Sequence, residues 1–282
     1  MRPRTPLVWL ASYPKSGNTW FRIFLTNYLR DGDEPAEINA LDDTWIASSR
    51  GQFETLYGVD SRDFTADEID RLRPAMYDAW QNQSDVPFHK VHDAYTYLED
   101  GRPLLGNPEG QAAIYFVRNP LDVAVSFAHH SGKEEIDDTI RNMANSEFCF
   151  CNKVDREENQ LRQKLLTWDQ HVESWQKAPM PVLFLRYEDM HADAMATFGK
   201  AIEFLGFSVE MKRLEKAIEF SAFDQLQGQE NVGGFKEKSK RSQRFFRKGL
   251  VGSYVERLAE NQIKLIEKTY ETKMKELAFL RR

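Results

Sequence analysis

An α/β fold, three-layered with a central, mostly parallel sheet flanked by helices, is what this sequence predicts, on three observations. Short runs rich in Val, Ile, Leu and Phe recur along the chain, helical patterns follow most of them, and no repeat, low-complexity tract or Gly/Ser linker interrupts the alternation. Apolar runs of this kind suit strands buried on both faces, which is the condition that crossover helices impose on a parallel sheet. Ligands of such folds bind outside the carboxyl ends of the strands. A single domain over residues 1–282 is the simplest organisation.

Taken in order, strands are expected at Leu7–Ala11, Phe88–Val91, Ala113–Val117 and Val182–Leu185. After the first, Thr19–Leu29 carries Trp20, Ile23, Phe24, Asn27 and Tyr28 at helical spacing. After the third, Asn119-Pro120 opens a helix containing Leu121, Val125 and Phe127, because proline is accommodated in a first turn whose N–H groups have no helical partner. A long C-terminal helix is expected from about Tyr254 to Leu277. Residues 31–84, more polar and aromatic, should decorate the sheet edge as helices and loops. Residues 132–164, charged around EEIDD and DREENQ, read as an insertion or flexible cover on the acceptor side, a solvated helical surface being the alternative.

Composition narrows the classes. The chain has 282 residues, 41% hydrophobic and 29% charged with 19 Phe, enough for a sizeable aromatic core. A net charge of −6 argues against a nucleic-acid partner, while a local basic site for one small anion remains compatible with it. Cys149 and Cys151 are too few for a disulfide framework and make a poor zinc site without further ligands, so they read as free thiols. The carboxylates form no metal pattern, and no metal is expected. No membrane span is expected, since no apolar run approaches the required length. Leu7–Ala11 is too short for a signal-peptide core, so a cytoplasmic location is expected.

The stretch LVWLASYPKSGNTWFRIFL joins the first strand to the first helix and has the makings of an anion loop. A helix N-terminus offers unpaired N–H groups and partial positive charge. Gly17 permits close backbone approach, Ser16 and Thr19 add hydroxyls, and Lys15 places an ammonium beside them. A nucleoside-triphosphate loop, G-x-x-x-x-G-K-[ST], has its Lys after the second Gly, whereas here Lys15 precedes the lone Gly17. The core is therefore P-loop-like, with a nucleoside triphosphatase a poor fit.

This loop, YPKSGNTW, closely resembles the phosphosulfate loop of sulfotransferases that use 3′-phosphoadenosine 5′-phosphosulfate (PAPS) and release 3′,5′-bisphosphoadenosine (PAP). Further elements of that family's pattern occur in order along nearly the whole chain. FVRNP followed by LDVAVS is similar to the 3′-phosphate motif, with Arg118 and Ser126 at its binding positions; the residues alone fit a helix cap beside a surface arginine equally well. RKGLVG, with Arg247, Lys248 and Gly249, resembles the segment closing over the same phosphate, and the preceding FKEKSKRSQRFFRK is strongly basic. The resemblance further implies Lys15 to Thr19, including Ser16, Gly17 and Asn18, as phosphosulfate ligands. It assigns Trp20, Phe223 and Tyr187 to the adenine, with Ser221 in the equivalent segment. Asn18 stands where many relatives have Thr, a change that keeps donors available.

For the acceptor side, the chain reads Phe88-His89-Lys90-Val91-His92, and alternation puts Lys90 and His92 on one face with His89 opposite as packing or surface. This K-x-H matches the family's catalytic segment. The resemblance implies sulfuryl transfer to a hydroxyl of a small molecule, with His92 as general base, Lys15 neutralising the leaving phosphate and Lys90 assisting. Trp45, Phe53, Tyr95 and Tyr97 are expected to line the acceptor pocket, with His129 and His130 near it or in solvent. The familiar subunit-pairing pattern K-x-x-x-T-V-x-x-x-E is absent after Gly252, which leaves the oligomeric state open. Two rivals remain: a kinase using ATP and magnesium, which the loop argues against, and a non-catalytic nucleotide-binding module, which retention of Lys90 and His92 argues against.

Overall fold

Parallel pairing around the first strand organises the chain. The computed structural model describes residues 7–41, 44–83, 87–132, 135–152, 158–239 and 241–280. Parts of the expected acceptor-side segments (42–43, 84, 133–134 and 153–157) and Lys240 of the basic run lie outside them. The strands are β1 Leu7–Ser12, β2 Thr44–Ile46, β3 Phe88–Val91, β4 Gln111–Val117, β5 Cys149–Phe150, β6 Gln163–Lys164 and β7 Val182–Arg186. The first helices are α1 Asn18–Arg30, α2 Arg50–Tyr57, α3 Ala66–Gln83, α4 Pro120–His130, α5 Asp137–Met143 and α6 Trp168–Gln176. They are followed by α7 Tyr187–Ala192, α8 Ala194–Phe204, α9 Met211–Phe220, α10 Phe223–Gly233, α11 Glu260–Thr269 and α12 Glu271–Glu276.

Five strands form a parallel sheet flanked by helices, in the order β2-β3-β1-β4-β7. Strand β1 pairs with β3 from Val8↔Phe88 to Ala11↔Val91, and β2 pairs with β3 from Thr44↔Phe88. From β1 the chain crosses to the edge strand β2, returns through β3 beside β1, and then passes to β4 and β7 on the other side, so winding reverses between β1 and β4, where open sheets of this kind bind ligands. All four expected strands are present, each within two residues of its expected ends. Strand β2 was not anticipated, because three residues carry no readable alternation.

The chain divides into two compact units, each assembled from separate segments. The first comprises Met1–Tyr13, Asp43–Tyr115 and Asn145–Val182; the second comprises Pro14–Asp42, Phe116–Ala144 and Leu183–Arg282. In the first, fully buried Trp9 donates its indole N–H to Gln111 Oε1 at 2.8 Å, and His89 stacks on Trp80 with ring centroids 4.7 Å apart. His89 is thus a packing residue, one of the two roles that alternation left open to it. In the second, α1 buries Phe21, Phe24 and Tyr28, and Phe24 stacks on Phe198 of α8 at 4.3 Å. Helix α4 begins as expected, with Pro120 in its first turn and the Asn119 side chain accepting from Leu121 N–H at 3.0 Å.

Two expectations need correction. The described part of 132–164 is not one flexible cover. Helix α5 belongs to the second unit, where Gln262 donates to Asp137 at 2.6 Å, and the β5–β6 hairpin belongs to the first, where Lys164 N–H reaches the Asp93 carboxylate at 3.0 Å. Nor does a continuous helix run from Tyr254 to Leu277. A 3-10 turn at Ser253–Glu256 precedes α11, and α12 starts after a break at Tyr270. The buried residues explain this: Tyr254, Leu258, Ile266, Tyr270 and Met274 recur at multiples of four. In an unbroken α-helix each such step advances about 40° around the axis, so the stripe would wind through roughly 200°. The breaks re-phase it onto one side.

Candidate functional site

In the second unit, the loop from Pro14 to Gly17 leads into α1 with two left-handed residues, Lys15 at φ 70° and Gly17 at φ 103°. Alternation of this kind turns successive N–H groups inward as an anion-binding concavity. Lysine in this region costs about 1–3 kcal/mol and persists only where its surroundings impose it. Gly17 is obligatory for two reasons, since a Cβ there would also lie 2.8 Å from the Tyr187 ring. Gly17, the N-cap of α1, has no side chain to offer as a capping acceptor, and no acidic residue stands in the first turn. The Ser16 hydroxyl is buried with no hydrogen-bond partner. The Lys15 ammonium lies 4.0 Å from the Phe245 ring centroid.

Arg118 follows β4 and is 7% exposed. Its Nη1 donates to the Lys15 carbonyl at 3.2 Å, its Nη2 donates to the Leu250 carbonyl at 2.9 Å, and its guanidinium covers the Tyr187 ring at 4.1 Å, leaving buried Nε without a partner. One residue therefore joins the anion loop, the R-K-G-x-x-G segment and the Y-E-D helix. Burial, Arg257 and Arg118 all push the Arg247 guanidinium below its ordinary range. Lys248 is paired with Glu256. Gly249, at φ 60°, allows the backbone onto Phe223, where a Cβ would come within 2.3 Å of the ring. Ser126 is half-buried on α4.

Asp122 holds this segment in place, accepting from Gly252 N–H at 2.7 Å, Ser253 Oγ at 3.1 Å and Tyr254 N–H at 3.0 Å. Sequence reasoning passed over Asp122 because an aspartate in a first turn reads as a complement to the helix dipole. It also passed over Arg257, which stands outside the motif.

The residues implied for adenine also lie in the second unit. Trp20 donates its indole N–H to the Ser221 carbonyl at 3.0 Å and packs against His191 at 4.8 Å and Phe198 at 5.4 Å. The Ser221 hydroxyl is fully buried and donates to carbonyls of Ala217 and Ile218, so what Ser221 offers Trp20 is its backbone. Trp20 and Phe223 flank one apolar cluster containing Ile23, Leu226 and Phe246. His191, held below its usual range by burial and then by Arg118, is a further neighbour that no motif announced.

In the first unit, His92 is half-buried just beyond β3, with Nδ1 2.9 Å from the Ser12 carbonyl and 3.2 Å from Ser12 Oγ. Its own carbonyl accepts from His171 Nε2 at 3.0 Å. Lys90 is half-buried within β3. The next residue, Asp93, is wholly buried, and Arg73 donates to its carboxylate at 2.6 and 3.2 Å. Of the expected pocket residues, Phe53 is closed off against Tyr57, and Trp45 joins the aromatic cluster on His89. Tyr95 is buried with its hydroxyl unpaired, and Tyr97 is exposed. In the second unit, His129 Nε2 faces the Arg244 carbonyl at 3.2 Å and His130 packs on Phe245.

Comparison with known proteins places the chain in a family. The family model for the sulfotransferase domain matches residues 110–278. Cytosolic sulfotransferase 1 of Arabidopsis thaliana is 24% identical over 97% of this chain and 80% of its own length. Cytosolic sulfotransferase 12 of the same plant is 29% identical over 94% and 76%. Among solved structures, a mouse sulfotransferase complexed with PAP superposes with a TM-score of 0.62 at 19% identity, covering 96% of this chain and 85% of that one. A retinol dehydratase in complex with androsterone and the inactive cofactor PAP gives 0.62 at 18%, covering 98% and 82%. The two structures speak for the fold, and the domain match spans more than half of the sequence. This chain belongs to the sulfotransferase family.

Proposed function

We infer that the protein transfers a sulfuryl group from PAPS to a hydroxyl of a small-molecule acceptor. The observation that carries this reading is the surplus of buried donors and crowded positive charge in the second unit. Ser16 Oγ and Arg118 Nε have no protein partner, and Arg247 is pushed down by burial and then by its cationic neighbours Arg257 and Arg118. Buried polar groups are ordinarily paired, and leaving one unpaired costs about 1–3 kcal/mol. A nucleotide with one anionic group at the loop and a second on its ribose meets both demands.

In this reading the loop amides with Lys15, Ser16, Gly17, Asn18 and Thr19 hold the phosphosulfate end, and Arg118, Ser126, Arg247, Lys248 and Gly249 hold the 3′-phosphate. Trp20, Tyr187 and Phe223 enclose the purine, with the Ser221 carbonyl fixing Trp20. When bound, PAPS supplies a sulfuryl group activated by a phosphate leaving group. The Lys15 ammonium and loop amides stabilise negative charge at the departing oxygen, assisted by Lys90. His92, whose Nδ1 faces a carbonyl, presents Nε2 to take the acceptor's proton.

Calorimetry with PAP, 5′-AMP and ATP–magnesium, on wild type and Arg118→Ala, tests the donor assignment. PAP should be preferred, and the substitution should weaken PAP by about ten- to hundredfold while changing 5′-AMP by less than about threefold. Equal losses for the two nucleotides, or a preference for ATP–magnesium, would overturn it. A screen of hydroxyl compounds with radiolabelled PAPS tests transfer itself, and incorporation into none of them counts against an enzyme.

A further inference from the structure

Hydrogen bonds around His92 run in a closed circuit within the first unit. His92 Nδ1 faces the Ser12 carbonyl at 2.9 Å and, farther off, the Ser12 hydroxyl at 3.2 Å. The hydroxyl can donate or accept, but the nearer carbonyl oxygen only accepts, and it places the proton on Nδ1 and the lone pair on Nε2. The His92 carbonyl lies 3.0 Å from His171 Nε2, which by the same reasoning carries the proton of that ring. His171 Nδ1 is then an acceptor, and the Tyr115 hydroxyl 2.8 Å away is its donor. The Tyr115 oxygen in turn accepts from the backbone N–H of Tyr13. That N–H belongs to the same peptide whose carbonyl, on Ser12, receives the His92 proton.

Every donor in the circuit meets an acceptor, and all point in one sense around it. Reversing one ring's tautomer leaves two lone pairs or two protons facing each other elsewhere. Tyr115 and His171 are fully buried, so water cannot repair such a fault. Burial also lowers the His171 pKa to about 4, so at neutral pH the ring keeps the one proton and one lone pair that the circuit needs. The sequence concealed this: Tyr115 reads as a strand residue, and His171 stands in no motif.

We propose that Tyr115 and His171 are positioning residues for His92, holding the Ser12–Tyr13 peptide and the His92 carbonyl so that the imidazole stays in its Nδ1–H tautomer with Nε2 as the basic nitrogen. The catalytic consequence rests on His92 being the general base; the tautomer itself does not. Nitrogen–proton correlation NMR of the histidine rings in mildly alkaline solution tests it, with His92→Ala used to assign the His92 signals. Wild type should show His92 as Nδ1–H and His171 as Nε2–H. Tyr115→Phe should move the His92 tautomer ratio toward Nε2–H by roughly five- to tenfold, the equivalent of one lost hydrogen bond. His171→Leu should do likewise, and His171→Gln, which retains an amide donor for the His92 carbonyl, should do so less. Calorimetry with PAP verifies that each variant remains folded. An Nε2–H His92 in wild type overturns the inference without recourse to any variant, and so do unchanged His92 signals in both Tyr115→Phe and His171→Leu. Undiminished sulfuryl transfer by His92→Ala instead overturns the base assignment, and with it only the catalytic consequence.

Discussion

Gly17 shows how strongly single residues are determined in the anion loop. Its φ of 103° and the Tyr187 ring 2.8 Å from any added Cβ exclude side chains by two independent routes. Gly17→Ala is expected to lower stability by about 1–3 kcal/mol and to weaken PAP binding tenfold or more, read by thermal denaturation and calorimetry. Wild-type values for both would mean that the loop tolerates a side chain and that its shape is not imposed. His92 makes the complementary case, with chemistry in place of conformation. His92→Ala should reduce turnover by about 10²–10⁴-fold while PAP affinity is unchanged, because a general base acts on the acceptor. A parallel fall in PAP affinity would instead make His92 part of the nucleotide site. Both residues were legible in the sequence, since Gly17 and His92 stand in short motifs whose chemistry depends on residue type and spacing. Ser12, Asp122 and His171 were not, because each acts on a partner distant in sequence.

At the scale of elements, the start of α4 and the turn before α11 form one working piece. Pro120 and Asn119 begin α4, and Asp122 in its first turn receives three hydrogen bonds from Gly252, Ser253 and Tyr254. Arg118, just upstream, holds the Leu250 carbonyl. Asp122→Ala strips acceptors from three donors and should free the 247–254 segment, weakening PAP at least tenfold with little effect on 5′-AMP. Equal effects on the two nucleotides would show that the segment does not serve the ribose phosphate. The expected long C-terminal helix is interrupted for a different reason. Periodicity revealed apolar residues at helical spacing, but a repeat of four cannot stay on one face over so many turns. The strand pattern was more faithful, because runs buried on both faces leave little room for another assignment.

At the scale of the whole molecule, stability against acid reports on buried histidine. His171 is wholly buried, and desolvation lowers its pKa to about 4, against about 6.5 for an exposed imidazole. Between those values the unfolded chain binds a proton that the folded chain refuses. The stability is therefore complete above about pH 6.5 and is lost as pH falls toward about 4, with a slope of up to about 1.4 kcal/mol per pH unit. Burial moves His129 and His191 in the same direction, so the discriminating measurement is a difference. Urea unfolding of wild type and His171→Gln across this range should diverge, the wild type losing about 2–3 kcal/mol more. Parallel curves would show that His171 is protonated in the fold.

By itself the sequence determined the α/β class, four of the five strands of the main sheet, and the motifs that identify the family. These features are written in local patterns, either apolar runs or residue types at fixed spacing. Only the tertiary structure decided where the C-terminal helix breaks, how the stretch after α4 is shared between two compact units, and which buried groups orient Arg118 and His92. The physical reason is that hydrogen-bond partners such as Ser12 and His92, or Asp122 and Tyr254, are chosen by closure of the chain in space. No pattern within a short window of residues encodes that closure.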